Sequence, residues 1–208
     1  MTDGQKKAYA ELGKKFILPF SENFIDFSSV FANGNPLILE IGFGMGDATY
    51  KIAENNPEIN YIGAEVYPPG VGSLLLKIRE HNINNIRIIN NDAFDIVRKM
   101  FQNESLAGAH IFFPDPWPKT RHHKRRLINE KFIAELSTKI KKDGYIYIAT
   151  DWKEYAENIL DILTSFSELK NKYSGLASPQ DWRPSTRFEA KGIKQNREIY
   201  EIFFIKIQ

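Results

Sequence analysis

Short apolar segments alternate with segments of helical period along most of this chain, and no other feature constrains the fold as strongly. Between the apolar segments, apolar residues recur three and four positions apart, as in Leu74, Leu75 and Ile78. Such alternation predicts an α/β fold with a mostly parallel central sheet and helices on both faces. The predicted strands are 37–42, 60–65, 86–90, 110–113, 145–149 and 199–205.

The first 36 residues differ from this pattern. Tyr9, Leu12 and Phe16 have helical spacing, and lysines occupy the remaining face of the same segment. We therefore predict an N-terminal helical appendage at residues 1–36, followed by one domain at 37–208.

Composition excludes several classes of protein. The chain has 42% hydrophobic and 26% charged residues, which is typical of a globular protein, and it has no cysteine. Disulfides, thiolate metal sites and cysteine nucleophiles are therefore excluded. No apolar run approaches the roughly 18 residues of a membrane span, and the first residues do not resemble a signal peptide, so we expect a soluble cytoplasmic protein.

The net charge of the chain limits how it could bind a nucleic acid. The 28 basic and 26 acidic residues give a net charge of +2 and a pI near 8.6. This is below the pI above about 9 that is typical of nucleic-acid-binding domains, so binding would depend on a local patch. The segment 119–126 provides one, because it holds five lysines and arginines in eight residues and no acid.

A glycine-rich loop follows the first long strand. Gly42, Gly44 and Gly46 form a G-x-G-x-G pattern, which fits the G-x-G-x-x-G pattern of dinucleotide-binding loops poorly. Glu40, just before the loop, would repel a phosphate and would suit a ligand with a cationic end. A tight strand–helix turn without a ligand remains the alternative.

Carboxylates follow the other strands. Glu65 stands where an acid accepts ribose hydroxyls, and Asp92 stands where a side chain can reach an adenine edge. Asp115 and Asp151 follow two later strands. Because ligands of parallel sheets bind at the carboxyl ends of the strands, we predict that these acids converge on one edge. Each one alone could equally be a solvated loop acid or a helix cap.

The segment Asp115-Pro116-Trp117-Pro118-Lys119 is the most specific signal. Two prolines stiffen the backbone around an acid and an aromatic ring, a combination that suits a flat heterocycle. The basic run that follows could pair with phosphates of RNA, although such runs are usually solvated surface. Adjacent histidines rarely bind the same ion, so we predict no metal site at His122 and His123.

These residues together resemble the bacterial tRNA (guanine-N7-)-methyltransferases. The similarity lies in the segments 40–46, 63–66, 115–126, 150–152 and 186–189, and it covers nearly the whole chain. It implies a class I, Rossmann-like methyltransferase that uses S-adenosylmethionine as cofactor and tRNA as partner. The implied product is 7-methylguanosine in the tRNA variable loop (position 46 of the tRNA). Where the family has a Gly-His pair near the C-terminus, this chain has Gln195-Asn196-Arg197.

The resemblance also implies residue roles, with Asp115 as the catalytic acid. The implied cofactor-binding residues are Glu40, Gly42, Gly44, Gly46, Glu65, Asp92 and Asp115. The implied substrate-binding residues are Lys119, Asp151, Thr186, Arg187, Phe188 and Glu189. The implied RNA-binding residues are Arg121, His122, His123, Lys124, Arg125 and Arg126. We expect a monomer or a homodimer that binds neither a membrane nor a metal.

Two other functions fit parts of the pattern. Methyltransferases that act on the amino group of adenine (N6) or cytosine (N4) carry an Asp/Asn-Pro-Pro-aromatic motif, which residues 115–118 partly match. The second is a non-catalytic RNA-binding module that keeps the methyltransferase fold. The intact glycine loop disfavours this second reading.

Overall fold

The computed structural model describes residues 1–185, 189 and 197–208. The chain forms two compact units, one comprising Met1–Gln102 with Asp181–Pro184 and the other Asn103–Gln180 with Ser185–Gln208. Both units consist of helices packed on strands. Within the described residues, no helix has the length and apolar character needed to cross a membrane.

The first unit contains four parallel strands in the order β1-β4-β3-β2. All residues of β2 and β3 are buried, as expected for parallel strands that are covered on both faces. The strands are β1 (Ile17–Leu18), β2 (Leu37–Ile41), β3 (Asn60–Ala64) and β4 (Ile86–Ile89). The helices are α1 (Asp3–Phe16), α2 (Phe27–Phe31), α3 (Asp47–Asn55), α4 (Pro68–Glu80) and α5 (Ala93–Met100).

The N-terminal segment forms the predicted helix and also extends the sheet. Thr2 and Gln5 form a capping box at the start of α1, which satisfies otherwise unpaired amides there. After the helix, Ile17 pairs with Ile88 as β1 joins the edge of β4. This short strand was not predicted, and the division of the chain at residue 36 stays a prediction.

The second unit holds β5 parallel to β6, followed by β8 and β7 in antiparallel pairing. Its strands are β5 (Leu106–Phe112), β6 (Ile140–Thr150), β7 (Leu169–Asn171) and β8 (Tyr200–Lys206). Its helices are α6 (Glu130–Lys139), α7 (Lys153–Thr164) and a 3₁₀ helix at Thr120–Arg125. The predicted α/β class with mostly parallel strands is confirmed.

The start of β6 departs from the prediction. Gly144 was expected to precede the strand, but β6 begins at Ile140, and the pairing with β5 shifts register between Leu106 and Gly108. A Cβ at Gly108 would lie 2.7 Å from the Tyr145 ring, so glycine is required for this close approach. The irregularity lies at the amino end of β6, away from the strand end that precedes Asp151.

Candidate active site

The glycine loop leaves open space above its backbone. Gly42, Gly44 and Gly46 have φ values of +71°, +57° and +74°, which side chains rarely adopt. A Cβ at Gly42 or Gly44 would meet nothing within 4 Å, whereas one at Gly46 would lie 2.9 Å from Leu74. The first two glycines therefore allow a ligand to approach the backbone, and the third allows α4 to pack closely against the loop.

Helix α4 fixes the other side of the loop. A Cβ at Gly70 would lie only 2.2 Å from the Gly44 carbonyl oxygen, so the backbone of α4 touches the loop directly. The Met45 carbonyl accepts hydrogen bonds from Ser73 Oγ at 2.9 Å and from Lys77 Nζ at 3.0 Å. These contacts hold the loop in one conformation before any ligand arrives.

Glu65 is anchored by backbone amides at the end of β3. Its Oε2 accepts a hydrogen bond from the Gly44 amide at 2.8 Å, and its Oε1 accepts from Val66 and Tyr67 at 2.8 and 2.9 Å. The side chain is thus tied to the glycine loop by a direct contact. A carboxylate offers about four lone-pair sites, and the amides occupy three of them, so Glu65 keeps one site for a ribose hydroxyl.

Glu40 is a buried acid with a strongly raised pKa. The residue is 2% exposed, and its Oε1 accepts a hydrogen bond from Thr49 at 3.0 Å, while its Oε2 has no hydrogen-bond partner among the residues that the structure describes. Burial raises the pKa of Glu40 to about 8, although the Thr49 hydrogen bond opposes the shift. An unsatisfied buried carboxyl oxygen beside an open glycine loop suits a ligand with a cationic or donor group.

Asp92 lies at the same edge of the sheet but has a local structural role. It is the N-cap of α5, and its Oδ1 accepts hydrogen bonds from Phe94 and Asp95 at 2.9 and 3.3 Å. The helix-cap alternative thus describes what Asp92 does in the free protein. The three parallel strands bring the glycine loop, Glu65 and Asp92 to one edge of the first unit.

In the second unit, Asp115 and Asp151 follow the carboxyl ends of neighbouring parallel strands. Phe112 of β5 pairs with Ala149 of β6, which places the two segments that follow at the same edge of this unit. Asp115 is exposed and makes no hydrogen bond within the described residues, whereas Asp151 forms an ion pair with Arg197 at 2.7 Å. The two acids thus follow neighbouring strand ends, and the convergence of all the acids on one edge stays a prediction.

The loop around Asp115 is stiff and conformationally unusual. Two non-glycine residues that flank the acid, Phe113 and Trp117, have φ values of +52° and +44°. Such conformations cost free energy and persist only where the surroundings enforce them. The Phe113 amide donates a hydrogen bond to the Ala149 carbonyl at 2.7 Å, which fixes one end of the loop to the sheet.

The basic run packs back onto this loop. The Arg125 guanidinium lies 5.0 Å from the centroid of the Trp117 ring, and the His122 ring meets the same indole edge-on at 5.9 Å. A cation over an indole face is a favourable contact. The expected stacking of Trp117 on a heterocycle would therefore compete with Arg125 for the ring.

Arg126 differs from the rest of the run, and its surroundings disfavour the predicted contact with RNA. The residue is only 4% exposed, and its guanidinium pairs with Glu154. By contrast, Arg121, Lys124 and Arg125 are exposed, and the 3₁₀ helix that carries them presents these cations to solvent. The sequence makes Arg125 and Arg126 look equivalent, although their surroundings are opposite.

The remaining predicted substrate residues have mixed positions. Lys119 is exposed beside the Asp115 loop, and Glu189 is 6% exposed. Thr186, Arg187 and Phe188 lie outside the described residues. Within the described ranges, no group of three histidine, aspartate or glutamate side chains could hold a metal ion.

Sequence reasoning missed several residues that support these loops. Glu154, Arg197, Ser73 and Lys77 each contact a predicted site segment, and none stands in a recognisable motif. Arg197 belongs to the segment where the chain departs from the family's Gly-His pair, and this departure was the only signal. That Arg197 pairs with Asp151 is evident only from the folded structure.

Comparison with known proteins identifies the family. A family model described as "Putative methyltransferase" matches residues 34–202. A tRNA (guanine-N(7)-)-methyltransferase from Paraburkholderia xenovorans is 45% identical over 206 residues, which cover 99% of this chain and 79% of that protein. One from Methylobacillus flagellatus is 48% identical over 205 residues, covering 98% and 86%.

A solved structure supports the fold. An rRNA methylase from Streptococcus thermophilus superimposes with a TM-score of 0.58 at 12% identity, covering 84% of this chain and 88% of that one. At this identity the likeness concerns the fold alone. The similarity to the curated relatives extends over nearly the whole chain, and the chain belongs to the tRNA (guanine-N(7)-)-methyltransferase family.

Proposed function

We propose that this protein transfers the methyl group of S-adenosylmethionine to N7 of a guanosine in the variable loop of tRNA. The observation that carries the proposal is the 45–48% identity to tRNA (guanine-N(7)-)-methyltransferases over almost the entire chain. As a family member, the protein is a methyltransferase that depends on S-adenosylmethionine. The variable-loop position and the residue roles below are the proposed part.

The first unit fits the cofactor. S-adenosylmethionine supplies a methyl group on a positively charged sulfonium and carries an amino group and a ribose. Gly42 and Gly44 leave room for it above the backbone, and Gly46 fixes the turn. Glu65 accepts a ribose hydroxyl, and the buried Glu40 with its unsatisfied Oε2 provides the acceptor for a cationic group. Asp92 contacts the adenine end from its cap position.

Chemistry at N7 demands little proton transfer. Guanine N7 has a free lone pair and no proton, so no general base is needed to expose it. We expect the rate enhancement to come mainly from two effects, the in-line alignment of N7, the methyl carbon and the sulfur, and the exclusion of water. Asp115 acts as the catalytic carboxylate, because its negative charge stabilises the positive charge that passes to the purine.

The second unit supplies groups for the guanosine and the RNA. Guanine presents N1–H and an amino group, which need acceptors, and O6, which needs a donor. Asp151 and Glu189 supply acceptors and Lys119 a donor, together with Thr186, Arg187 and Phe188. The proposed RNA contacts are the exposed Arg121, Lys124 and Arg125 together with the half-buried His122 and His123.

The proposal is tested by incubating the protein with methyl-labelled S-adenosylmethionine and an unmodified tRNA transcript. Nuclease digestion and mass spectrometry should then give 7-methylguanosine in a fragment from the variable loop. A transcript in which the variable-loop guanosine is replaced by adenosine is the matched control and should accept no label. N6-methyladenosine or N4-methylcytidine as product would instead establish the amino-group alternative.

A catalytically silent RNA-binding module would give a different result. It would bind the tRNA transcript without transferring label, and calorimetry would detect no binding of S-adenosylmethionine. We place the activity in the cytoplasm on the ground of its tRNA substrate. Sedimentation with and without tRNA would test the prediction of a monomer or a homodimer.

A further inference from the structure

Arg126 uses all its hydrogen-bonding capacity inside the protein. Its Nε donates to the Pro116 carbonyl at 2.8 Å, and its two terminal nitrogens donate to the two carboxylate oxygens of Glu154. The remaining donors meet His123 Nε2 at 3.0 Å and Asn158 Oδ1 at 3.5 Å. A guanidinium has five N–H groups, so none is left for a phosphate.

The pair formed by Arg126 and Glu154 is bidentate, with Arg126 buried and Glu154 exposed. The Arg126 side chain is 3% exposed, and its guanidinium lies 4.6 Å from the centroid of the Tyr155 ring. The hydrogen bond from Arg126 holds the pKa of Glu154 below its ordinary value. Two parallel hydrogen bonds from a planar guanidinium to a carboxylate fix the relative orientation of the two groups as well as their distance. The ammonium group of lysine cannot reproduce this geometry.

Arg126 also contacts the backbone of the Asp115 loop, at the Pro116 carbonyl oxygen. The Pro116 carbonyl belongs to the residue directly after Asp115, and its position sets the peptide plane that leads into Trp117. Asp115 has no hydrogen bond of its own within the described residues, so its placement depends on the backbone that carries it. Arg126 supplies the hydrogen bond that holds this backbone.

The same pair reaches the second substrate segment. Glu154 lies in the first turn of α7, three residues after Asp151. Arg126 therefore connects the loop after β5 with the segment after β6 through a single guanidinium. Arg125, its neighbour in sequence, instead covers the indole of Trp117 in the same loop.

We propose that Arg126 is a positioning residue for methyl transfer. Through its bonds to Glu154 and to the Pro116 carbonyl, it holds Asp115 in the geometry required for turnover and makes no contact with RNA. This inference rests on the proposed role of Asp115.

Arg126→Lys tests the inference, because lysine keeps the charge but loses the fork. At saturating tRNA the kcat of the variant should fall about 10- to 100-fold, the range expected when a reacting group is displaced by about 1 Å. The dissociation constant for tRNA and its dependence on salt should not change. Lys124→Gln, which removes an exposed cation two residues away, should instead weaken binding and reduce the salt slope by about one charge.

A double-mutant cycle separates positioning from a general structural effect. If Arg126 acts through Asp115, single-turnover rates of Asp115→Asn and of the double variant Asp115→Asn/Arg126→Lys should agree within about twofold. If the double variant loses the product of the two single-variant losses, the inference is wrong. It is also wrong if Arg126→Lys keeps the wild-type kcat. A reduced salt slope for Arg126→Gln, which removes the positive charge, would instead assign Arg126 to the RNA contacts.

Two controls keep the outcome decisive. If Arg126→Lys does not fold, Glu154→Gln replaces it, because the amide keeps one oxygen acceptor, and a several-fold loss of kcat with unchanged tRNA binding is expected. Equal kcat for folded Glu154→Gln and wild type would then contradict the inference. Failure of the proposed function would look different, because wild-type protein would form no 7-methylguanosine or Asp115→Asn would retain full turnover.

Discussion

Glu40 allows cofactor binding to be predicted as a function of pH. Burial raises its pKa to about 8 in the free protein, so most molecules carry a protonated, neutral carboxyl at pH 6. Pairing with a cationic group of S-adenosylmethionine requires the ionised form. Only about 1% of the protein is ionised at Glu40 at pH 6 and about 9% at pH 7, so the apparent dissociation constant should fall about ninefold between them.

Calorimetry measures both parts of this linkage. Titrations at pH 6 and pH 7, each in two buffers of different ionisation enthalpy, give the affinity and the number of protons released. We expect close to one proton per cofactor at pH 6 and about 0.9 at pH 7. S-adenosylhomocysteine, which lacks the sulfonium charge, shows whether the cationic group that Glu40 meets is the sulfonium or the amino group.

Glu40→Gln is the matched control, because an amide has the same shape and does not titrate in this range. Its affinity should be independent of Glu40 ionisation and should show no proton release attributable to this site. Equal wild-type dissociation constants at pH 6 and pH 7, without proton release, would refute the reasoning.

The same raised pKa of Glu40 means that the folded state holds the proton more tightly than the unfolded state. The free protein should therefore lose stability as pH rises from 4.5 through about 8, and Glu40→Gln should not show this loss.

Three further substitutions have defined outcomes. Asp115→Asn should lower turnover at least about 100-fold and leave filter binding of tRNA nearly unchanged, and retained turnover would remove Asp115 from the mechanism. Gly46→Ala should destabilise by about 1–3 kcal/mol in urea unfolding, because of its positive φ and the 2.9 Å approach to Leu74. Gly34→Ala, with open space around it, is the control, and equal losses in the two variants would contradict this account. Burial lowers the pKa of His110 to about 3, so unfolding below pH 6.5 takes up a proton and stability falls. His110→Gln should remove about 1.5 kcal/mol of that loss between pH 6.5 and pH 5 in urea unfolding, and an unchanged slope would exclude His110 as its source.

The long elements could be predicted because their burial pattern is repeated along the sequence. Helix α3 has bounds that the sequence supports, since the left-handed Gly46 precedes Asp47 and Pro57 follows soon after Asn55. The short strand Ile17–Leu18 could not be predicted in this way. Two apolar residues have no period, and only the neighbouring β4 edge makes them a strand.

The site was predictable where it depends on strand ends and unpredictable where it depends on distant partners. Placement of Glu65 and Asp151 follows from parallel strands, which any α/β pattern implies. The opposite environments of Arg125 and Arg126 depend on Glu154, which lies 28 residues further along the chain. A single sequence contains no signal that pairs residues at such a separation.

The contact between Gly70 and the Gly44 carbonyl has a consequence for engineering cofactor preference. With 2.2 Å between that oxygen and any added Cβ, the loop and the start of α4 can move only together. In a mutant library that varies only the glycine loop, most altered loop conformations would clash with α4. Selection for analogues with larger sulfonium substituents should therefore randomise residues 42–46 and 67–73 jointly, with glycine retained at position 70.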